Sequence, residues 1–282
     1  MQHRPDLVPA QAGIGFRAPH FGELMQSEPR VGWLEVHSEN YFAPGGPARH
    51  QLERVRERYP LSLHSVGLSL ASADRLDIEY LAQLKALIQR FEPGLVSDHL
   101  CWCSLDARHY HDLLPFPFDE QSLRYVNERI DMTQTSLGRQ ILIENIVDYR
   151  GRRDDPIAEA QFINALCAGT GCGILLDLAN LHVNELNGGH SALQTIHAMD
   201  IQYVKELHLA GHSSLADEHI YIDSHDKRVT DALWRLYAQA LVRFGALPTL
   251  IEWDADLPAL DVLIGEAQKA QDLIDESCCA PA

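Results

Sequence analysis

Six residues able to bind metal recur toward the ends of six successive apolar runs. They are His64 in LSLHSVGL, His99 in LVSDHLC, Glu144 in QILIENI, Asp177 in GILLDL, His208 in VKELHLA and Glu252 in TLIEW. Any one of them could be a core polar residue satisfied by a single hydrogen bond. Six together would bring imidazoles and carboxylates into one basin, where charge is costly to bury unless cations neutralise it. Histidine and carboxylate without cysteine suits iron, manganese or zinc, and argues against copper(I) or an iron–sulfur cluster.

Further candidates follow the sixth and seventh of the chain's eight apolar runs, those of Asp177 and His208. Asn180 lies three residues after Asp177, and His182 two further on, in LDLANLHVN. The segment AGHSSLADEHIYIDSHD holds His212, Asp217, His219, Asp223 and His225. Asp223 and His225 can present two ligands from one side of an extended segment. Asp217 and His219 read as part of a polar surface loop, while His182 and His212 stay open between ligands and supporting residues. Glu144 stands midway in the series and can bridge two ions through its two oxygens. A first site is then His64, His99 and Glu144, and a second is Glu144, Asp177, His208 and Glu252. Asn180, Asp223 and His225 make a third.

The elements that must position these residues are eight short apolar runs alternating with helix-period segments, as a parallel α/β architecture requires. The runs are Gly13–Ala18, Trp33–Ser38, Leu61–Leu68, Leu95–Cys101, Gln140–Ile146, Gly173–Leu178, Val204–Ala210 and Thr249–Trp253. Eight is the number a (β/α)8 TIM barrel needs, and in such barrels the C-terminal strand ends line the active site. Helices are expected at Asp77–Phe91, Asp119–Leu137, Pro156–Ala168, Val229–Phe244 and Leu257–Ile274. Little helix is visible between Ala18 and Val31, and Gly211–Asp226 reads as a long loop of the kind usually kept for function.

The chain of 282 residues is 46% hydrophobic and 22% charged, enough for one barrel domain spanning 1–282 with a core at about 13–274. The N-terminal dozen residues and the tail after about Ile274 read as loose ends. A net charge of −17, from 40 acidic against 23 basic residues, disfavours nucleic acid and anionic lipid as partners. No apolar run reaches about 18 residues and the N-terminus lacks a secretory core, so no membrane span and a cytoplasmic location are expected. The six cysteines do not form a disulfide framework, and Cys101-Trp-Cys103 lacks the two-residue spacer of a redox or zinc pair.

The segments HSVGLSL, SDHLCW, ILIENI, LLDLANLHVN, ELHLAGH, DSHD and IEWD together resemble the multinuclear non-haem iron-dependent oxidative enzymes, typified by the methanobactin-biosynthesis oxidase. The resemblance runs from GIGFRAPH to IEWD, nearly the whole chain. It implies a xylose-isomerase-like barrel shared with apurinic endonucleases that bind three zinc ions. Those endonucleases carry histidine where this chain has Asn180, which favours iron. The family's chemistry implies two or three irons of mixed Fe(II)/Fe(III) state, with O2 as co-substrate. The implied substrate is a cysteine of a ribosomally made precursor peptide, often delivered by a leader-binding partner protein. In that setting Asp226, beside His225, is a candidate for moving protons. Glu39 and Asn40 could hydrogen-bond the substrate backbone or simply cap the barrel. The alternative is a zinc- or manganese-dependent hydrolase or isomerase on the same barrel, acting on phosphodiester or sugar.

Overall fold

The computed structural model describes residues 7–106, 108–150, 154–215 and 220–279. In chain order the elements are β1 (Ala12–Gly15), α1 (Phe21–Ser27), β2 (Leu34–His37), α2 (Pro47–Arg56), β3 (Leu61–Ser65), α3 (Ile78–Phe91) and β4 (Leu95–His99). Then come β5 (Trp102–Leu105), β6 (Arg108–Leu114), α4 (Glu120–Leu137), β7 (Leu142–Glu144), α5 (Glu159–Thr170), β8 (Gly173–Asp177), α6 (Leu178–Leu186) and α7 (Ala192–Ala198). The chain ends with β9 (Val204–Ala210), β10 (Ser213–Leu215), β11 (Ile220–Ile222), α8 (Asp231–Phe244), β12 (Thr249–Glu252) and α9 (Leu260–Cys279).

Eight of these strands close a parallel barrel in the order β1-β12-β9-β8-β7-β4-β3-β2. Each coincides with an apolar run identified from sequence, β1 starting one residue early. The registers bring His37 opposite His64, His99 opposite Glu144 and Asp177 opposite His208, so the chelating residues share one layer. That layer is the C-terminal rim, the site-bearing face of this architecture.

The helices begin where the side chains allow. Asp77 accepts from the amides of Glu79 and Tyr80 to cap α3, and Asp119 accepts from Ser122 to cap α4. The α3 face of Leu81, Leu84, Leu87, Ile88 and Phe91 is buried against the barrel, each side chain contributing about 1.5–3 kcal/mol. Such faces fix the strands, and through them the rim.

Four expectations need correction. Between Ala18 and Val31 the chain forms a 3-10 turn (Ala18–His20) and α1, because Leu24 is buried there and rewards a helical turn. The tail after Ile274 is not loose: α9 runs to Cys279, carried by Gln271 donating to Asp275 and Ser277 donating to the Ile274 carbonyl. The segment 211–226 contains the antiparallel pair β10–β11, with Asp217 and His219 outside the described residues. The helix expected from Pro156 starts at Glu159, since Ala158 is still extended. Cys101, Cys103, Cys167 and Cys172 are buried free thiols.

Candidate metal centre

His64, His99 and Glu144 stand on three adjacent strands, β3, β4 and β7. His64 Nε2 and His99 Nε2 lie 3.4 Å apart, and Glu144 Oε2 is 3.3 Å from the first and 3.4 Å from the second. A triangle of that edge is what ligands form around a tetrahedral-type ion with bonds of about 2.0–2.1 Å. His64 Nδ1 is 2.8 Å from Ser97 Oγ, so its other nitrogen is the one left facing the triangle. Burial holds both imidazoles neutral: His64 is well below its ordinary range and His99 is lowered to about 4. Neutral imidazole is the form that binds metal.

The second set lies across the barrel. Glu144 Oε1, Asp177 and His208 could share one ion, and Glu252 adjoins them, its Oε2 3.0 Å from His208 Nδ1. Asp177 has a double role that its neighbours explain. Its Oδ1 accepts the Asn180 amide and caps α6, while its Oδ2 is buried with no hydrogen-bond partner. The α6 helix was not foreseen from sequence, yet it is what brings Asn180 to the rim at the third position after Asp177. Asn145 fixes that corner by pairing twice with the Asp177 backbone, while its own carbonyl accepts from the Asn180 side chain.

Asp223 and His225 come from the stretch after the β10–β11 hairpin. Asp223 Oδ1 and His225 Nε2 are 2.7 Å apart, and His225 Nδ1 is 3.4 Å from Glu252 Oε2. His225 is not extended as expected but left-handed, with φ of 46°. Its carbonyl accepts from the amides of Asp254 and Ala255, which hold it there. The loop can approach only because residue 211 is glycine: a Cβ there would sit 2.2 Å from the Lys227 carbonyl oxygen.

Burial and mutual contact shift most of the ionisable groups at the rim. Burial pushes Glu144 well above the usual carboxylate range and Asp177 up to about 7. Burial would also raise Glu252, but His225 and His208 hold it well below the ordinary range. The atoms left buried without a hydrogen-bond partner include Glu144 Oε2, Asp177 Oδ2 and Asn180 Oδ1. A donor set of imidazoles and carboxylates with its acceptor atoms turned inward and unpaired is suited to divalent cations.

The cavity above these groups has a volume of about 950 Å3 and is lined by His64, His99, Glu144, Asn180, Asp223, His225 and Glu252. Glu39 and Asn40 also reach it. Glu39 Oε1 accepts from the Val66 amide at 2.8 Å and from the Tyr80 hydroxyl, leaving Oε2 unpartnered. One wall is the β5–β6 hairpin, with His109, Tyr110 and His111. Asp226 is not among the lining residues. Its carboxylate accepts from the Ser224 and Ser213 hydroxyls, and Ser224 chiefly holds it below the ordinary range. His182 and His212 pack edge to face at 5.4 Å and join no cluster able to hold an ion among the described residues.

Sequence reasoning missed His37, Asp254, Glu35 and Glu206. His37 ends β2 just as His64 ends its own run, so its position was a usable signal. It lies 3.9 Å from Glu252 and 3.8 Å from Asp254. There the Arg17 guanidinium already supplies the positive charge, paired with Asp254 and 3.2 Å from His37 Nε2. Glu35 and Glu206 sit deeper, fully buried beside His208.

Known proteins bear directly on this rim. A model of the family described as the RiPP precursor modification enzymes MbnB/TglH/ChrH matches residues 11–275. The chain belongs to this family. The family match covers every residue of the three groups and names a class of enzyme that acts on precursor peptides. Similar curated proteins are UPF0276 proteins. One from Acaryochloris marina is 46% identical over 259 residues, covering 92% of this chain and 93% of its own. Another from Chromobacterium violaceum is 43% identical over 267 residues, covering 95% and 96%. Among solved structures, endonuclease IV from Thermus thermophilus aligns with a TM-score of 0.60 at 13% identity, covering 94% of this chain and 99% of that one. D-psicose 3-epimerase from Clostridium cellulolyticum aligns with 0.59 at 11% identity, covering 95% and 98%. At such identities these show the fold alone, a xylose-isomerase-like TIM barrel.

Proposed function

We propose that the chain is a di- or tri-iron, O2-dependent oxidase that modifies cysteine in a ribosomally made precursor peptide. The observation that carries this reading is a rim where His64, His99 and Glu144, then Glu144, Asp177 and His208, then Asp177, His225 and Glu252 each come close enough to share an ion, in a member of a precursor-modifying enzyme family. His64, His99 and Glu144 would hold one ion, Asp177, His208 and Glu252 with Glu144 a second, and Asn180, Asp223 and His225 a third. When bound, iron supplies the electrons for O2 and the positive charge that ionises a substrate thiol.

The chain's own residues would do the rest. Glu144 is placed between the first two groups, and its two oxygens face different histidines, so it can serve both ions. Glu39, aimed by Val66 and Tyr80, offers Oε2 to a peptide amide beside the centre. The β5–β6 hairpin forms a wall of the same cavity, which has the size that usually encloses a small ligand or short peptide segment. A leader-binding partner protein would present the peptide, and the acidic surface favours a peptide of basic or neutral character.

The test is O2 uptake and peptide mass change by anaerobically prepared, Fe(II)-loaded protein with the cysteine-bearing peptide encoded beside it. O2 consumption with a stoichiometric mass change is expected. Protein inert toward O2 and peptide, yet hydrolysing a phosphodiester or isomerising a sugar with zinc or manganese, would replace this reading by the alternative one.

A further inference from the structure

His208 is wedged between two layers of carboxylate, and the lower layer has no partner. Its Nδ1 faces the rim, 3.0 Å from Glu252 Oε2 and 3.9 Å from Glu144 Oε1. Its Nε2 faces the lower layer, 3.3 Å from Glu35 Oε2 and 3.7 Å from Glu206 Oε1. Neither lower contact is aligned as a hydrogen bond. His208 Nε2 and all four oxygens of Glu35 and Glu206 are buried without a partner. Glu35, Glu206 and His208 are all 0% exposed, so water does not relieve them.

A neutral imidazole carries one N–H, on one nitrogen or the other. Burial would lower His208, but Glu35 and Glu252 on either side hold it well above the ordinary imidazole range, so with no ion at the rim both nitrogens carry protons. A cation held by Glu144, Asp177 and Glu252 would need the Nδ1 lone pair, displacing that proton and leaving the single N–H on Nε2. The nearest acceptor there is Glu35, 3.3 Å away.

We propose that Glu35 is a positioning residue for the metal centre: it receives the Nε2–H of His208 and so turns the Nδ1 lone pair toward the rim. Ligating histidines are commonly fixed this way by a carboxylate on the far nitrogen, and losing it typically weakens metal binding about 10–100-fold. Glu35 sits opposite Ser62 in the β2–β3 register, one layer below the level at which His37 meets His64. The inference rests on the metal reading of the rim but not on its O2 chemistry.

The experiment uses the full chain and Zn2+ as a diamagnetic probe, with Mn2+ for affinity. In Zn2+-loaded wild type, imidazole 15N spectra should show His208 protonated at Nε2, with a strongly hydrogen-bonded N–H. Glu35→Met should weaken Mn2+ binding at one site about 10–100-fold and abolish that N–H signature. Glu35→Gln, which keeps an acceptor, should restore most of both. An N–H found on Nδ1 in loaded wild type would overturn the proposal without any variant. So would Glu35→Met binding like wild type, or Glu35→Gln losing as much as Glu35→Met, which would make Glu35 a direct ligand. Wild type that binds no ion at all would overturn the metal reading and this inference together.

Discussion

The first and third groups proposed as metal ligands stand on different foundations. His64, His99 and Glu144 end three neighbouring barrel strands, and their registers fix the triangle of 3.3–3.4 Å. Asp223 and His225 hang on a stretch with no strand beneath it, shaped by a left-handed residue and a glycine contact. The difference teaches where precision comes from: strand-borne ligands inherit it from the sheet, whereas loop-borne ligands depend on a few local contacts. The first group should therefore load first and survive insults that empty the third.

The largest expected effect breaks the comparison at its shared member. Glu144→Ala removes a ligand from the first two groups and leaves His64, His99 and His208 facing each other. We expect loss of at least two ions per chain by elemental analysis and O2 uptake at background, with the barrel still folded by circular dichroism. Gly211→Ala should separate the groups instead. The added methyl meets the Lys227 carbonyl at 2.2 Å, so the loop must shift at a cost of about 1–3 kcal/mol. The ion of Asp223 and His225 should be lost while that of His64 and His99 stays, read by site-resolved spectra of loaded protein.

Acidity sharpens the picture further. Burial raises Asp177 to about 7 and Glu144 well above its ordinary range, so both carry protons that an incoming cation must displace. Apparent affinity should thus rise with pH up to about 7, by roughly tenfold per unit for each proton released, and rise less steeply above it, where Asp177 is already ionised and only Glu144, His208 and His225 still give protons up. Calorimetry in buffers of different ionisation heat would count those protons, and a pH-independent affinity would contradict the assignment of Asp177. The smallest effect is expected from Asp226→Asn. Its carboxylate is engaged by Ser213 and Ser224 away from the cavity lining, so stability should change by less than about 0.5 kcal/mol and turnover should hold.

The barrel was legible because its strands are buried on both faces and read as unbroken apolar runs, which polar residues interrupt chiefly at the rim. That same interruption singled out all six strand-borne residues that the fold brings to the rim. Asn180 was legible by proximity, but the α6 helix that aims it was not, since it begins directly where β8 ends, with no turn residues between them. The β5–β6 hairpin escaped notice because RHYHDLL is exposed along most of its length and shows no alternation. Glu35 and Glu206 escaped because they sit within strands, below the rim, where a lone glutamate gives no sign of the histidine it faces. Asp226 looked functional only through adjacency to His225, and local serines claim it.

One measurement tests the central claim directly: the number of ions held per chain after anaerobic loading with Fe(II), by elemental analysis and Mössbauer spectroscopy, in wild type and in His64→Ala. The three-group account predicts two or three irons in wild type and one fewer in the variant, with the remaining signals retained. A single iron in wild type, or equal loading in the two proteins, would contradict it.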